Sequence, residues 1–309
     1  MNKKYNEIIA ADAAKINSFL ISNPQLAITN TADWETAWQR ILEAEQYALS
    51  AGGKRIRPVL AVEFYKLFSG CNEVPDWVYE AACTLEMTHT FSLIHDDMPE
   101  MDNDDLRRGK PATHVKFGTD VGLLAGDGLA ILSYEILSQM AIDKKISAKT
   151  AIKLINNLSF CAGNRGMIAG QMLDLWSEER VEEIDEQFLR RMSYLKTGQL
   201  LKAACCFGAI MAEADSDRLR SACIYAENTG LAFQIVDDVL DVTSDAETLG
   251  KPIGSDLERK KATFADVLGI DGALVEAKRL SEIASKEISK YSGGELLSEF
   301  ALSLAERKK

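Results

Sequence analysis

The chain has 309 residues, 47% hydrophobic and 27% charged, ordinary figures for a globular protein with room for a large core. Its 47 Asp and Glu against 35 Lys and Arg leave a net charge of −12, which argues against a general nucleic-acid binder, since such a protein needs a basic surface to follow phosphates. The six cysteines (Cys71, Cys83, Cys161, Cys205, Cys206, Cys223) show no C-x-x-C spacing and read as reduced thiols, with no disulfide framework or zinc site. No apolar secretory segment follows the basic N-terminus and no run of 18 or more apolar residues appears, so a cytoplasmic chain without stable membrane insertion is expected.

Nearly every stretch has an apolar period close to 3.6, and almost none alternates. Thr31 to Glu35 opens an amphipathic helix through Trp38, Ile41, Leu42 and Tyr47, which stops at Gly52-Gly53. Pro58 then suits the first turn of a short helix over Val59–Phe68. A third helix runs from about Asp76 to an acidic stretch, where Pro99 breaks it into a loop reaching about Thr113. Thr119–Met140 is apolar almost all round, the pattern of a helix in the centre of a bundle. Helices follow over Ser147–Phe160, Asn164–Trp176, Ile184–Met211 and Asp215–Thr243, then a charged loop (Asp245–Lys261) and two or three closing helices. No linker divides the chain, so residues 1–309 read as one all-α domain, a bundle of about ten or more helices.

Two acidic clusters carry the chemistry. The first packs six acidic residues into Asp96–Asp105, directly after the apolar residues Phe91, Leu93 and Ile94. Carboxylates beside an apolar wall lose hydration and repel one another, so a hard divalent cation is the natural neutraliser. On a continuous helix Asp96 and Asp102 point apart; Pro99 resolves this by letting Asp102 swing back. The second cluster, Phe233-Gln-Ile-Val-Asp-Asp-Val-Leu-Asp241, sets Asp237 and Asp241 four residues apart, about 40° around the axis and on one face. Two facing carboxylate clusters suit several Mg²⁺ ions clamping a diphosphate. Cations are placed to match. Lys54, Arg55 and Arg57 sit in a glycine-opened turn before a helix start, Arg107 and Arg108 follow the first cluster, Lys196 interrupts an apolar helix, and Lys251 and Lys261 follow the second cluster.

With these residues assembled, the chain from about Ile41 onward resembles the trans-isoprenyl diphosphate synthases, in particular the bacterial farnesyl diphosphate synthase group. Asp96-Asp97-x-x-x-x-Asp102 and Asp237-Asp238-x-x-Asp241 resemble the family's two aspartate-rich motifs, and Gly170-Gln171-x-x-Asp174 a further family segment. The resemblance implies that these six aspartates bind Mg²⁺, three ions per active site, and that Gly53, Lys54, Arg57, His89 and Arg108 bind isopentenyl diphosphate. It assigns Arg107, Lys196, Thr197, Gln234, Lys251 and Lys261 to the allylic diphosphate (dimethylallyl or geranyl) and its reaction centre. Within these, Lys196, Thr197, Gln234 and Arg107 are the expected catalytic residues. Phe91, five residues and about 7.5 Å before Asp96, is the expected floor of the product tunnel, with Ser92 beside it, as in members that make C15 products. A homodimer is implied as well, with the apolar Thr119–Met140 region as the expected interface element.

Other readings fit less well. A terpene cyclase keeps only one aspartate-rich cluster, and a His-Asp phosphohydrolase needs more histidines than His89, His95 and His114. A non-catalytic regulatory subunit loses one cluster, whereas both stand here. Among synthases, geranyl and geranylgeranyl products are the alternatives to farnesyl.

Overall fold

The structure, a computed structural model, describes residues 3–26, 36–243 and 261–306. Its helices are α1 (Lys3–Ile21), α2 (Thr36–Leu49), α3 (Ile56–Ser69), α4 (Asp76–Asp96), α5 (Thr113–Phe117), α6 (Thr119–Ile142), α7 (Ala148–Ala162), α8 (Met167–Glu178), α9 (Glu186–Ser193), α10 (Gln199–Met211), α11 (Ser216–Thr243), α12 (Phe264–Ile288) and α13 (Glu295–Ala305). The only strands among the described residues are β1 (Leu106–Arg107) and β2 (Lys110–Pro111), an antiparallel pair. The all-α expectation holds. α1 is absent from the sequence reading, the Pro58 helix begins two residues earlier at Ile56, and the hairpin lies inside the expected loop. The start of the Thr31 helix, the Asp245–Lys261 loop up to residue 260, and the Arg307–Lys309 tail fall outside the described residues.

Packing sorts the chain into two compact units: residues 8–62 with 74–155, and residues 1–7 and 63–73 with 156–309. In the first, α4 is the core, buried on nearly every side from Val78 to Thr90 and packed along α6. Polar groups between these helices are mutually satisfied: Thr88 Oγ1 donates to Ser133 Oγ (3.1 Å), and Ser133 Oγ lies 3.2 Å from Thr84 O. α1 docks with Ile16 and Leu20 buried, and its buried Asp12 accepts from Tyr79 OH at 2.8 Å. One face of α6 departs from expectation. Leu123, Leu124 and Ile131 are 45%, 50% and 67% exposed in the isolated chain, because apolar composition does not say what covers a face. An 18-residue window of α6 reaches mean hydropathy 1.4, enough by length and composition to cross a membrane, yet half of it is buried inside the protein.

In the second unit, α11 is the spine, lined by α10 and α12. Tyr225 is fully buried, meets Phe64 edge-on at 5.2 Å and donates to Leu297 O at 2.7 Å. Leu189, Ile235, Val236, Val239, Phe264 and Leu280 form a core beneath the end of α11. Each such side chain contributes about 1.5–3 kcal/mol of burial. Thr263 starts α12 with a capping box, its Oγ1 accepting from Asp266 N while Asp266 accepts from Thr263 N. The single helix expected over Ile184–Met211 is α9 and α10 joined through a π turn at Tyr194–Gly198.

Candidate active site

The first unit holds one set of the expected residues: Gly53, Lys54, Arg57, His89, Arg107, Arg108, Asp96, Asp97 and Asp102. α4 ends as the Pro99 break predicts. The chain then doubles back, with Asp102 N donating to Asp96 O at 2.8 Å and Asp104 N to Asp97 O at 3.1 Å. Asp102 thereby returns to Asp96. The two adjacent aspartates differ sharply: Asp96 is half-buried at the helix end, whereas Asp97 is 2% exposed. Arg107 Nε grips Asp97 at 2.9 Å (Oδ1) and 3.1 Å (Oδ2). Burial opposes the Arg107 charge, but Asp97, with Asp104 and Asp96, outweighs it and raises the guanidinium pKa.

The hairpin sends the two arginines to different partners. Arg108 and Gly109 both take positive φ (53° and 75°), as the centre of a type I′ turn requires. Arg107 thus closes on Asp97 from the strand, while Arg108 in the turn donates to Gly52 O. Gly53, at φ 127°, is glycine for two reasons: its backbone conformation, and Arg108, whose Nη1 would lie 2.6 Å from any Cβ there. Beside it, Arg57 Nε is buried with no hydrogen-bond partner among the described residues. Burial, with help from Arg108 and against Glu86, pushes the Arg57 pKa down to about 10. His89 is driven well below its usual value by burial, then by Arg57, Arg108, Arg107 and Arg55. A neutral imidazole amid guanidiniums, one with a buried unpartnered N–H, is an arrangement that suits an anion. Of the three cations in the glycine turn, Arg55 does not belong to it. At 3% exposure and φ 50°, it turns inward to Glu86, to Leu49 O and to Asn17 Oδ1 (2.8 Å).

The second unit holds Lys196, Thr197, Gln234, Asp237, Asp238, Asp241 and Lys261; Lys251 lies outside the described residues. The π turn carries Lys196 and Thr197, and such turns are frequent at functional sites. Glycines let neighbours close on it. A Cβ at Gly170 of α8 would stand 2.1 Å from Lys196 N, and one at Gly230 of α11 would stand 3.0 Å from Gly198 Cα. Lys196 is compensated: its Nζ is 2.6 Å from Asp174 Oδ2, which Lys261 also meets at 2.8 Å. Burial pushes the Asp174 carboxyl up, but Lys196 and Lys261 overcome it and hold the pKa below the usual range. Thr197 Oγ1 donates to Gln234 Oε1 (3.0 Å), and Gln234 Nε2 donates to Asp238 Oδ1 (2.9 Å). Asp238, 7% exposed, also accepts from Phe264 N at 2.9 Å, while Asp237 and Asp241 stay half-buried one turn apart. Two further residues have a structural place that the sequence pattern alone does not assign. Asp174 bridges both lysines, and both amide atoms of Gln171 are buried without a partner among the described residues. Both lie in the Gly170-Gln171-x-x-Asp174 segment, which was the available signal.

A helical bundle bearing two Asp-Asp motifs, an anion pocket and a lysine pair defines a class of enzymes that handle diphosphates with metal. A family model for polyprenyl synthetase matches residues 39–293, and the chain belongs to that family. It is a prenyltransferase of the prenyl diphosphate synthase type. A geranylgeranyl diphosphate synthase of Cyanophora paradoxa is 42% identical over 248 residues, 80% of this chain and 81% of the relative. A farnesyl diphosphate synthase of Geobacillus stearothermophilus is 40% identical over 235 residues, 76% and 77% of the two chains. Among solved structures, a geranyltransferase of Helicobacter pylori complexed with magnesium and isoprenyl diphosphate superposes with a TM-score of 0.79 at 27% identity, over 99% of this chain and 98% of that one.

Proposed function

We propose that the chain condenses isopentenyl diphosphate with dimethylallyl and then geranyl diphosphate, joining C1′ to C4, to give (2E,6E)-farnesyl diphosphate and release diphosphate. The observation that carries this is the presence, within the first unit, of the Asp96, Asp97 and Asp102 carboxylates together with the Arg57–His89–Arg108 cluster. Asp96, Asp102, Asp237 and Asp241, with the inner Asp97 and Asp238, are hard donors of the type Mg²⁺ takes. Bound there, Mg²⁺ (three ions in this reading) would neutralise the allylic diphosphate and make it a better leaving group. Lys54, Arg57, His89 and Arg108 hold isopentenyl diphosphate; Arg107, Lys196, Lys251 and Lys261 serve the allylic diphosphate. As the allylic C1–O bond breaks, positive charge develops on carbon. The lone pairs of Thr197 Oγ1, which donates a hydrogen bond to Gln234 Oε1, that side-chain oxygen and the carbonyl of Lys196 stabilise it. The isopentenyl double bond forms the new C–C bond, and a proton leaves to the departed diphosphate.

The farnesyl product rests on Phe91 as the floor; the relative from Geobacillus supports it. A geranylgeranyl product is the second reading, favoured by the relative from Cyanophora. Incubating purified protein with Mg²⁺, isopentenyl and dimethylallyl diphosphates and sizing the products decides between them. No condensation sinks the enzymatic reading. A C20 product keeps the chemistry and removes Phe91 as the floor. Asp96→Ala is expected to lower kcat by about a hundredfold or more with the fold retained. We also infer a homodimer through the exposed Leu123, Leu124 and Ile131 face of α6, so that Ile131→Asp gives a monomer in light scattering. A reducing, cytoplasmic compartment fits the six free thiols.

A further inference from the structure

His95 stands one turn after Phe91 on α4, between the chain-length residue and the aspartates, and none of the chemistry above uses it. Its ring meets the Phe91 ring edge to face, with centroids 5.9 Å apart and planes at 71°. Its far side is held by α6. Nε2 lies 3.1 Å from Leu123 O, so the tautomer protonated at Nε2 donates there, and Asp127 Oδ1 is 3.8 Å away. The ring fits because position 126 is glycine: a Cβ there would lie 2.1 Å from Nε2. Phe91 is therefore braced through His95 against the α6 backbone. We propose that His95 is a positioning residue that sets product length by holding the Phe91 ring in place, with Gly126 as the notch that admits the brace.

The proposal rests on Phe91 as the tunnel floor. An unbraced phenyl ring rotates about its χ angles and opens the space below it, so loss of the brace loosens the stop without removing it. A braced edge-to-face pair predicts a rise in the ratio of C20 to C15 product of about threefold to tenfold on its loss. The KM values for both substrates stay put, since His95 holds neither diphosphate.

The test is a double-mutant cycle on product distribution with Phe91→Ala, His95→Ala and the pair, plus His95→Phe, which restores a ring edge. Expected are longer products from Phe91→Ala, a smaller shift in the same direction from His95→Ala, partial reversal in His95→Phe, and no added lengthening when His95→Ala is placed on Phe91→Ala. If Phe91→Ala lengthens the product and His95→Ala does not, the brace is refuted while the floor survives. Full additivity in the pair also refutes it, because His95 then acts on its own and not through Phe91. If Phe91→Ala itself leaves the length unchanged, the floor reading fails and the brace with it. Should His95→Ala lower the melting temperature enough to prevent folding, His95→Gln keeps a donor for Leu123 O but no ring, and must still lengthen the product.

Discussion

Glu45 offers a test of the physical picture away from the chemistry. It lies on α2 with 3% exposure, its Oε1 so close to α6 that a Cβ at Gly128 would be 2.2 Å from it. No cation forms an ion pair with it among the described residues. Burial raises its pKa from 4.5 to about 7. A raised carboxyl pKa means that the folded chain holds the proton more tightly than the unfolded one. Stability is therefore lost as pH rises from about 4.5 through 7, and the penalty is complete above that. The displacement corresponds to about 3 kcal/mol at most, and local relaxation reduces this to about 1–3 kcal/mol. Glu45→Gln keeps the shape and removes the titration. Urea unfolding at fixed protein concentration, run from pH 4.5 to 8, is expected to show the variant gaining stability over the parent as pH rises, by about 1–3 kcal/mol at pH 8 and near zero at pH 4.5. A stability difference that does not change with pH refutes the assignment.

Three further predictions follow from buried partners. Arg55→Ala leaves Glu86 charged and buried, and is expected to cost about 3–5 kcal/mol in the same unfolding assay; a cost below about 1 kcal/mol contradicts its inward role. Gly170→Ala forces α8 off the π turn, and should destabilise by about 1–3 kcal/mol and raise KM for the allylic substrate; an unchanged melting temperature and KM would show that the turn does not depend on that contact. Cys223 has its pKa brought down to about 7, chiefly by the thiol of Cys206 at 3.5 Å and then by Lys202, while burial pushes Cys161 up to about 12. Iodoacetamide should modify Cys223 before Cys161 with a rate midpoint near pH 7, and Cys206→Ala should move that midpoint up; equal labelling of the two would overturn this.

What the sequence carried was periodicity and charge placement. The helix ends at Pro99 and Gly52, the return of Asp102 to Asp96 and the shared face of Asp237 and Asp241 all follow from local geometry. What it did not carry depends on partners distant in the chain. Lys196 and Arg55 are both cations among apolar neighbours, yet one lies half-buried among the candidate site residues and one is buried in the core. The difference lies in Asp174 on α8 and Glu86 on α4, 22 and 31 residues away. The π turn leaves little trace in the sequence, because one extra residue in a helix barely alters the apolar period. α1 escaped because its buried face is thin, little more than Asp12, Ile16 and Leu20. The exposed side of α6 was hidden by its own composition, since an apolar face reads the same whatever covers it.

The structure also explains why each motif begins with two adjacent aspartates. Consecutive helical residues point about 100° apart, so two neighbouring carboxylates cannot serve one direction. In both motifs the second member is the buried one, and it is consumed internally: Asp97 by Arg107, Asp238 by Gln234 and the Phe264 amide. Those contacts fix the residues around the first member. Arg107 belongs to the hairpin that carries Arg108 to Gly52, and Gln234 is the group that orients Thr197. The inner aspartate is thus tied to neighbouring side chains, whereas the outer ones, Asp96, Asp102, Asp237 and Asp241, stay half-buried. A doublet does with two adjacent residues what a single aspartate cannot: one carboxylate is held by neighbouring side chains, and the other stays half-buried, where the proposed cation would meet it.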